Sequence, residues 1–213
     1  MQRHVLDLEH YPRKAHFDYF RTMAFPYVGL TAPVDITGLL AAVQRRQLPL
    51  FLTLCYGVTR GANQIPELRQ RIAGDRIVQY DWCRSSHTEA LPDGTYCYCT
   101  LDSRPDYPDF LTAARAAQAR ARANPTLEDG AESEELFFVS CLPRVSYTGL
   151  VQPVPSPADS NPRITWGKYQ RRKGKIELPL SILCHHALVD GRQLAQFYDA
   201  VQAELNRLEE ELR

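Results

Sequence analysis

The stretch Cys184-His185-His186-Ala187-Leu188-Val189-Asp190-Gly191 holds the residue types and spacing best suited to chemistry in this 213-residue chain. An imidazole takes up and returns a proton near neutral pH, which suits it to general-base work. An aspartate four residues on can orient a neighbour, and a glycine permits a turn. Taken alone, two adjacent histidines are as readily a satisfied pair, and Asp190-Gly191 an ordinary turn. The flanking elements favour chemistry. Apolar residues at Ile176, Leu178, Leu180, Ile182 and Cys184 alternate as on one face of a strand. His186 continues that parity and is expected on the buried face at the strand's end. After Gly191, Leu194, Phe197, Val201, Leu205 and Leu208 fall on one face of a helix. An imidazole between the two needs a partner for each nitrogen or a substrate beside it.

The rest of the chain reads as one domain spanning 1–213, long enough to bury a sizeable core. Hydrophobic residues make up 44% and charged residues 23%, as in an ordinary globular protein. Lys plus Arg equals Asp plus Glu at 25 each, and the missing basic excess disfavours nucleic acid as a partner. No apolar run reaches the ~20 residues of a membrane span, and no signal peptide opens the chain; a cytoplasmic protein is expected. The six cysteines form no Cys-x-x-Cys pair, so buried free thiols are expected. Cys97 and Cys99 alone make a poor zinc site, so no metal is expected.

In order, residues 1–9 read as a short strand or arm. A helix opens at Pro12 with Phe17, Phe20 and Met23 as its stripe. A strand from Tyr27 leads into a helix over 37–46 capped by Asp35 or Thr37. Further helices are predicted from Leu50 to Asn63 and at Ile65–Leu68, before a turn at Gly74-Asp75. Strands follow at 77–82 and 95–101, joined by a polar loop, then a helix over 110–123 and a polar loop over 124–135. Leu136–Leu142 reads as a buried central strand and Val145–Leu150 as another. Pro153–Pro162 is a loop, and 164–170 with 175–184 a hairpin turning at Lys173-Gly174. The fold class is α/β, an α+β two-layer sandwich with one mixed sheet covered by helices.

Several motifs in this order make the chain similar to the chloramphenicol acetyltransferase family. They are Arg13-Lys14-x-His16-Phe17, Asp35-Ile36-Thr37, Phe137-Phe138-Val139-Ser140, Val145-Ser146-Tyr147-Thr148, Thr165-x-Gly167-Lys168-Tyr169, Leu178-Pro179-Leu180 and His185-His186-x-x-x-Asp190-Gly191. The last motif also marks plant acyltransferases, peptide-synthetase condensation domains and, more loosely, dihydrolipoyl acyltransferase cores; the other six single out this family. The resemblance implies a compact homotrimer with active sites at subunit interfaces. It implies acetyl-CoA as donor, chloramphenicol or another small hydroxylated compound as acceptor, and an antibiotic-resistance activity. His186 would be the base, Ser140 the oxyanion donor, and Thr165 the holder of a water near the same intermediate. Arg13 and Asp190 would form an ion pair supporting the loop. The tautomer of His186 would be set by its own backbone carbonyl, leaving Asp190 structural. Phe20 and Phe138 stand at acceptor-pocket positions, and Tyr169 with Lys168 at the CoA side.

The departures from the family pattern cluster around the acceptor. Arg192-Gln193 follows Asp190-Gly191 where Phe-His is usual, Arg144 replaces a tryptophan, and Arg163 replaces an apolar residue two before Thr165. Unless it turns outward, Arg163 suits a more polar or anionic acceptor. The basic run Arg171-Arg172-Lys173-x-Lys175 could meet CoA phosphates or simply face water. Two alternatives to the leading reading stay open: an acyltransferase with a different, more polar acceptor, and a non-catalytic trimeric binding module.

Overall fold

The computed structural model describes residues 2–130 and 132–213. Position 1 of the arm predicted over 1–9 and position 131 of the loop predicted over 124–135 lie outside the described residues. The chain runs β1 (Arg3–Val5), α1 (Lys14–Phe20), β2 (Tyr27–Asp35), α2 (Thr37–Arg45) and α3 (Leu50–Asn63). It continues with β3 (Gln70–Ala73), β4 (Arg76–Tyr80), β5 (Arg84–Ala90), β6 (Tyr96–Leu101) and α4 (Tyr107–Ala123). It ends with β7 (Leu136–Leu142), β8 (Arg163–Gly167), β9 (Gln170–Arg172), β10 (Lys175–His185) and α5 (Gly191–Glu211).

Among the described residues the larger sheet has seven strands in the order β2-β10-β8-β7-β5-β6, with β9 paired to β10. It is mixed: β7 runs parallel to both β5 and β8, and the other pairings are antiparallel. A smaller antiparallel sheet, β1-β4-β3, stands apart. The α/β sandwich read from the sequence is thus the observed class. Among the described residues no helix is long and apolar enough to cross a membrane.

Alternation along the strands gives the larger sheet two unlike faces. Phe51 of α3 lies against Trp166 and His87 at 5.6 and 5.0 Å between ring centroids, which marks the helix side. Val139, Ile164, Leu180, Ile182 and Cys184 share that parity and are buried in the core. The opposite parity carries Ser140, Thr165, Ser181 and Thr31 level with one another across four strands. The loop over 143–162 crosses that face, with Tyr147 donating to the Thr165 carbonyl at 2.8 Å.

Helix α5 is as predicted, with Leu194, Phe197, Val201, Leu205 and Leu208 all buried. It crosses α3 so closely that a Cβ on Gly61 would come within 2.7 Å of the Val201 Cα. Backbone cannot give way as a side-chain tip can, so Gly61→Ala is expected to cost roughly 1–3 kcal/mol. Chemical denaturation would read this as a lowered midpoint; an unchanged midpoint would mean the helices separate freely.

Four expectations need correction. The span read as a polar loop before Thr95 contains β5, whose Arg84-Ser85-Ser86-His87-Thr88-Glu89 carries no apolar alternation yet lies between β6 and β7. Residues 70–73, read as the run-out of a helix, form β3. Val145–Leu150 is no strand: Tyr147 spends its hydroxyl on a sheet carbonyl, and the segment lies over the sheet, not beside it. Met23 falls beyond the end of α1 and is exposed.

Candidate active site

Strand β10 ends one residue early for the expected parity. His185 is its last residue and is buried, whereas His186 has left the strand and is half-buried in the turn. The physical reason is the tight turn that follows: the amides of Leu188 and Val189 both donate to the His185 carbonyl, at 3.0 and 3.2 Å. His186 is held from three sides. Its amide donates to the Pro26 carbonyl at 2.7 Å. Its ring stacks on Phe20 at 3.8 Å and 22°. Its Nδ1 lies 2.8 Å from the Val189 carbonyl oxygen.

That last contact decides the tautomer. A carbonyl can only accept, so Nδ1 carries a proton, and in the neutral ring Nε2 keeps its lone pair. Among the described residues nothing hydrogen-bonds Nε2. The carbonyl is that of Val189, three residues on, and not His186's own as the family resemblance implied, because the turn curls back over the ring.

Asp190 begins α5 and closes a capping box. Its carboxylate accepts from the Arg192 amide at 2.9 Å, while Gln193 Oε1 accepts from the Asp190 amide at 3.1 Å. The unusual Gln193 thus has a structural use, and its amide also reaches Glu67. Arg13 pairs with the same carboxylate, as expected. Burial works against the Asp190 charge, but the hydrogen bonds from Arg13 and the Arg192 amide outweigh it and hold its pKa below the ordinary value.

His185 behaves differently. Burial, helped by His186 and Arg21 and opposed by Asp159, pushes it down to about 4. It is neutral and its Nδ1 accepts from the Ala187 amide at 3.3 Å. Because the unfolded residue titrates near ~6.5, the unfolded chain binds the proton first, and stability must fall as pH drops from there toward the folded value. Denaturation midpoints are therefore expected to decline between neutral pH and pH ~5, and His185→Gln should flatten that slope. An equal slope in both proteins would exclude His185 as its source.

The second group of predicted residues lies elsewhere on the sheet. Ser140 on β7 is half-buried and its hydroxyl makes no hydrogen bond among the described residues. With Phe138 it lines a cavity of about 340 Å³ on the face away from the helices. Thr165, beside Ser140 on β8, is buried and donates to Gln152 of the crossing loop at 3.2 Å. Lys168 and Tyr169 are exposed where β8 passes into β9. Of the neighbouring basic run, Lys175 is used in an ion pair with Asp35 at 3.0 Å.

Arg163 corrects the reading of the cavity wall. It turns inward, its side chain only 11% exposed, yet its guanidinium is bound by both oxygens of Asp159 at 2.8 Å. Its charge is therefore spent inside the protein and offers no site for an anion. Asp159 also accepts from Tyr27 Oη. Nothing in the sequence pointed to Asp159, Gln152 or the Val189 carbonyl, because each reaches its partner through loop geometry alone.

Arg13, Phe20, His186 and Asp190 thus form one constellation, and Phe138, Ser140 and Thr165 another. The two do not meet within the chain. Ser140 lies two strands from β10, level with Ser181, and His186 is five residues further along. At ~3.3 Å per residue and ~4.8 Å per strand, their backbones are roughly 19 Å apart. No single carbonyl can touch both side chains. Among the described residues, no group of three or more His, Cys, Asp or Glu side chains is placed to hold a metal ion.

Comparison with known proteins relates the chain to chloramphenicol acetyltransferases. The profile described as chloramphenicol acetyltransferase covers residues 1–202. A chloramphenicol acetyltransferase of Streptomyces acrimycini is 30% identical over 202 residues, covering 92% of this chain and 91% of its own. Chloramphenicol acetyltransferase 2 of Haemophilus influenzae is 28% identical over 201 residues, covering 92% and 94%. A solved chloramphenicol acetyltransferase superposes with a TM-score of 0.80 at 25% identity, covering 96% of this chain and all of that one.

Proposed function

The chain belongs to the chloramphenicol acetyltransferase family, and from that premise we propose that it moves an acetyl group from acetyl-CoA to a hydroxyl of chloramphenicol or a related small compound. His186 is the general base, and the whole of 1–213 acts as one catalytic domain. The observation that carries this reading is the contact between Nδ1 of His186 and the Val189 carbonyl, which in the neutral ring leaves the Nε2 lone pair free on a half-buried side chain.

The acceptor hydroxyl gives its proton to Nε2 as its oxygen bonds to the thioester carbonyl carbon. The carbonyl electrons move onto oxygen, where the Ser140 hydroxyl donates a hydrogen bond to the tetrahedral oxyanion. The carbonyl re-forms, the carbon–sulfur bond breaks, and the sulfur takes the proton back from the imidazolium. Phe20 fixes the plane of the ring, and Arg13 with Asp190 fixes the turn that carries it. Thr165 holds Gln152 beside Ser140, and Phe138 supplies apolar wall to the acceptor. Lys168 and Tyr169 are assigned to CoA.

The ~19 Å between His186 and Ser140 supports a homotrimer in which each site takes His186 from one subunit and Ser140 from the next. Exposed apolar side chains beside the open sheet face, Val145 and Val151 among them, give that contact something to bury. The purified protein with acetyl-CoA and chloramphenicol should yield acetylated diol, read by mass because the six thiols would react with a thiol dye. Absence of acetyl transfer to chloramphenicol and to a panel of small alcohols would defeat the reading.

A further inference from the structure

The cavity beside Ser140 carries a carboxylate that no basic group of the same chain answers among the described residues. Asp129, from the loop after α4, reaches it together with Ser86, Tyr98, Phe138, Ser140 and Arg163. Its carboxylate accepts a hydrogen bond from the Ser86 hydroxyl. Among the described residues no lysine, arginine or histidine forms an ion pair with it. Arg163, the one arginine or lysine on the wall among the described residues, is neutralised by Asp159. His87 also lines the cavity, but its ring lies against Phe51 with Nε2 3.3 Å from Glu89, and burial pushes its pKa below the ordinary value.

From this placement we infer that the acceptor taken by the Ser140 cavity carries a positive charge, an ammonium group beside its hydroxyl, and that Asp129 is the residue selecting it. The inference rests on the reading of that cavity as the acceptor side. A half-buried carboxylate without a counter-ion is costly in the empty protein, and a cationic ligand removes the cost on binding. Burial raises the pKa of Asp129 above its ordinary value, the direction expected for such an unanswered charge. Tyr98, on the same wall, is an aromatic residue of the type that attracts ammonium groups. The chemistry is the reverse of what Arg163 suggests from sequence.

Two probes differing in this charge test the inference. One is chloramphenicol, which is neutral. The other is the aminodiol left when its dichloroacetyl amide is hydrolysed, which keeps the ring and both hydroxyls and gains a primary ammonium. Binding to the full assembled protein is measured by titration calorimetry near neutral pH, separately from acetyl transfer. The wild type is expected to bind the aminodiol roughly tenfold more tightly than chloramphenicol, the scale of one charge-assisted hydrogen bond. Asp129→Asn should erase that preference while leaving chloramphenicol binding within about threefold, and Asp129→Glu should restore part of it. An aminodiol that binds no better than chloramphenicol, or equal weakening of both probes by Asp129→Asn, overturns the inference. Failure of the catalytic reading looks different: the aminodiol preference persists, but no acetyl group is transferred and His186→Ala changes nothing.

Discussion

His186→Ala is expected to lower acetyl transfer by about 10²–10⁴-fold while the fold persists. The ring does two jobs in the proposed cycle, taking the hydroxyl proton and returning it to sulfur, so the loss should lie toward the upper end. Its contacts in the protein are few: the Phe20 stack, the Val189 carbonyl, and a backbone bond to Pro26 that alanine keeps. A thermal midpoint close to wild type, with acetyl-CoA still bound, separates lost chemistry from lost structure. Activity within about tenfold of wild type would remove His186 from the role of base. His186→Gln sharpens the test, since its amide can meet the Val189 carbonyl but cannot carry the proton through the cycle.

A complementation experiment is expected to show the next largest effect. Ser140→Ala alone should lower turnover by roughly 10²–10³-fold, the scale of one oxyanion donor. Because His186 and Ser140 lie roughly 19 Å apart in one chain, the proposed site, which uses both, would draw them from two copies. Ser140→Ala chains and His186→Ala chains, each nearly inactive, should therefore regain activity when unfolded and refolded together. With random mixing, about one quarter of the interfaces would pair an intact His186 with an intact Ser140 in a cyclic assembly. Recovery to that fraction of wild-type activity supports the shared site. No recovery, with mixed assemblies demonstrated by mass, would mean that the two residues do not serve one thioester.

Much of this protein was legible from its residues, for physical reasons that differ by element. Helix α5 and strand β10 announce themselves because each has one apolar face in the core, so burial writes a clean period into the sequence, whereas α3 is buried on nearly every side and shows as a long, largely uncharged run. The turn bearing His186 is legible for the same reason, lying between two such patterns. β5 is not legible: its neighbours on both sides and the helices above cover it, so Ser85, Ser86 and His87 are buried without being apolar. The local sequence therefore carries no sign of a strand.

The order of motifs along the chain also determined the family, and it singled out Arg13, Ser140, Thr165, His186 and Asp190 as the residues proposed for the site. Only the tertiary structure decided how they are grouped. The tautomer of His186 depends on where a turn places the Val189 carbonyl, and the charge of the cavity depends on which loop carboxylate reaches Arg163 and which reaches Ser86. Sheet order and register set the distance between Ser140 and His186. Hydrophobic periodicity is a local property and survives in the sequence; partnerships made across loops and strands are settled only when the chain closes on itself.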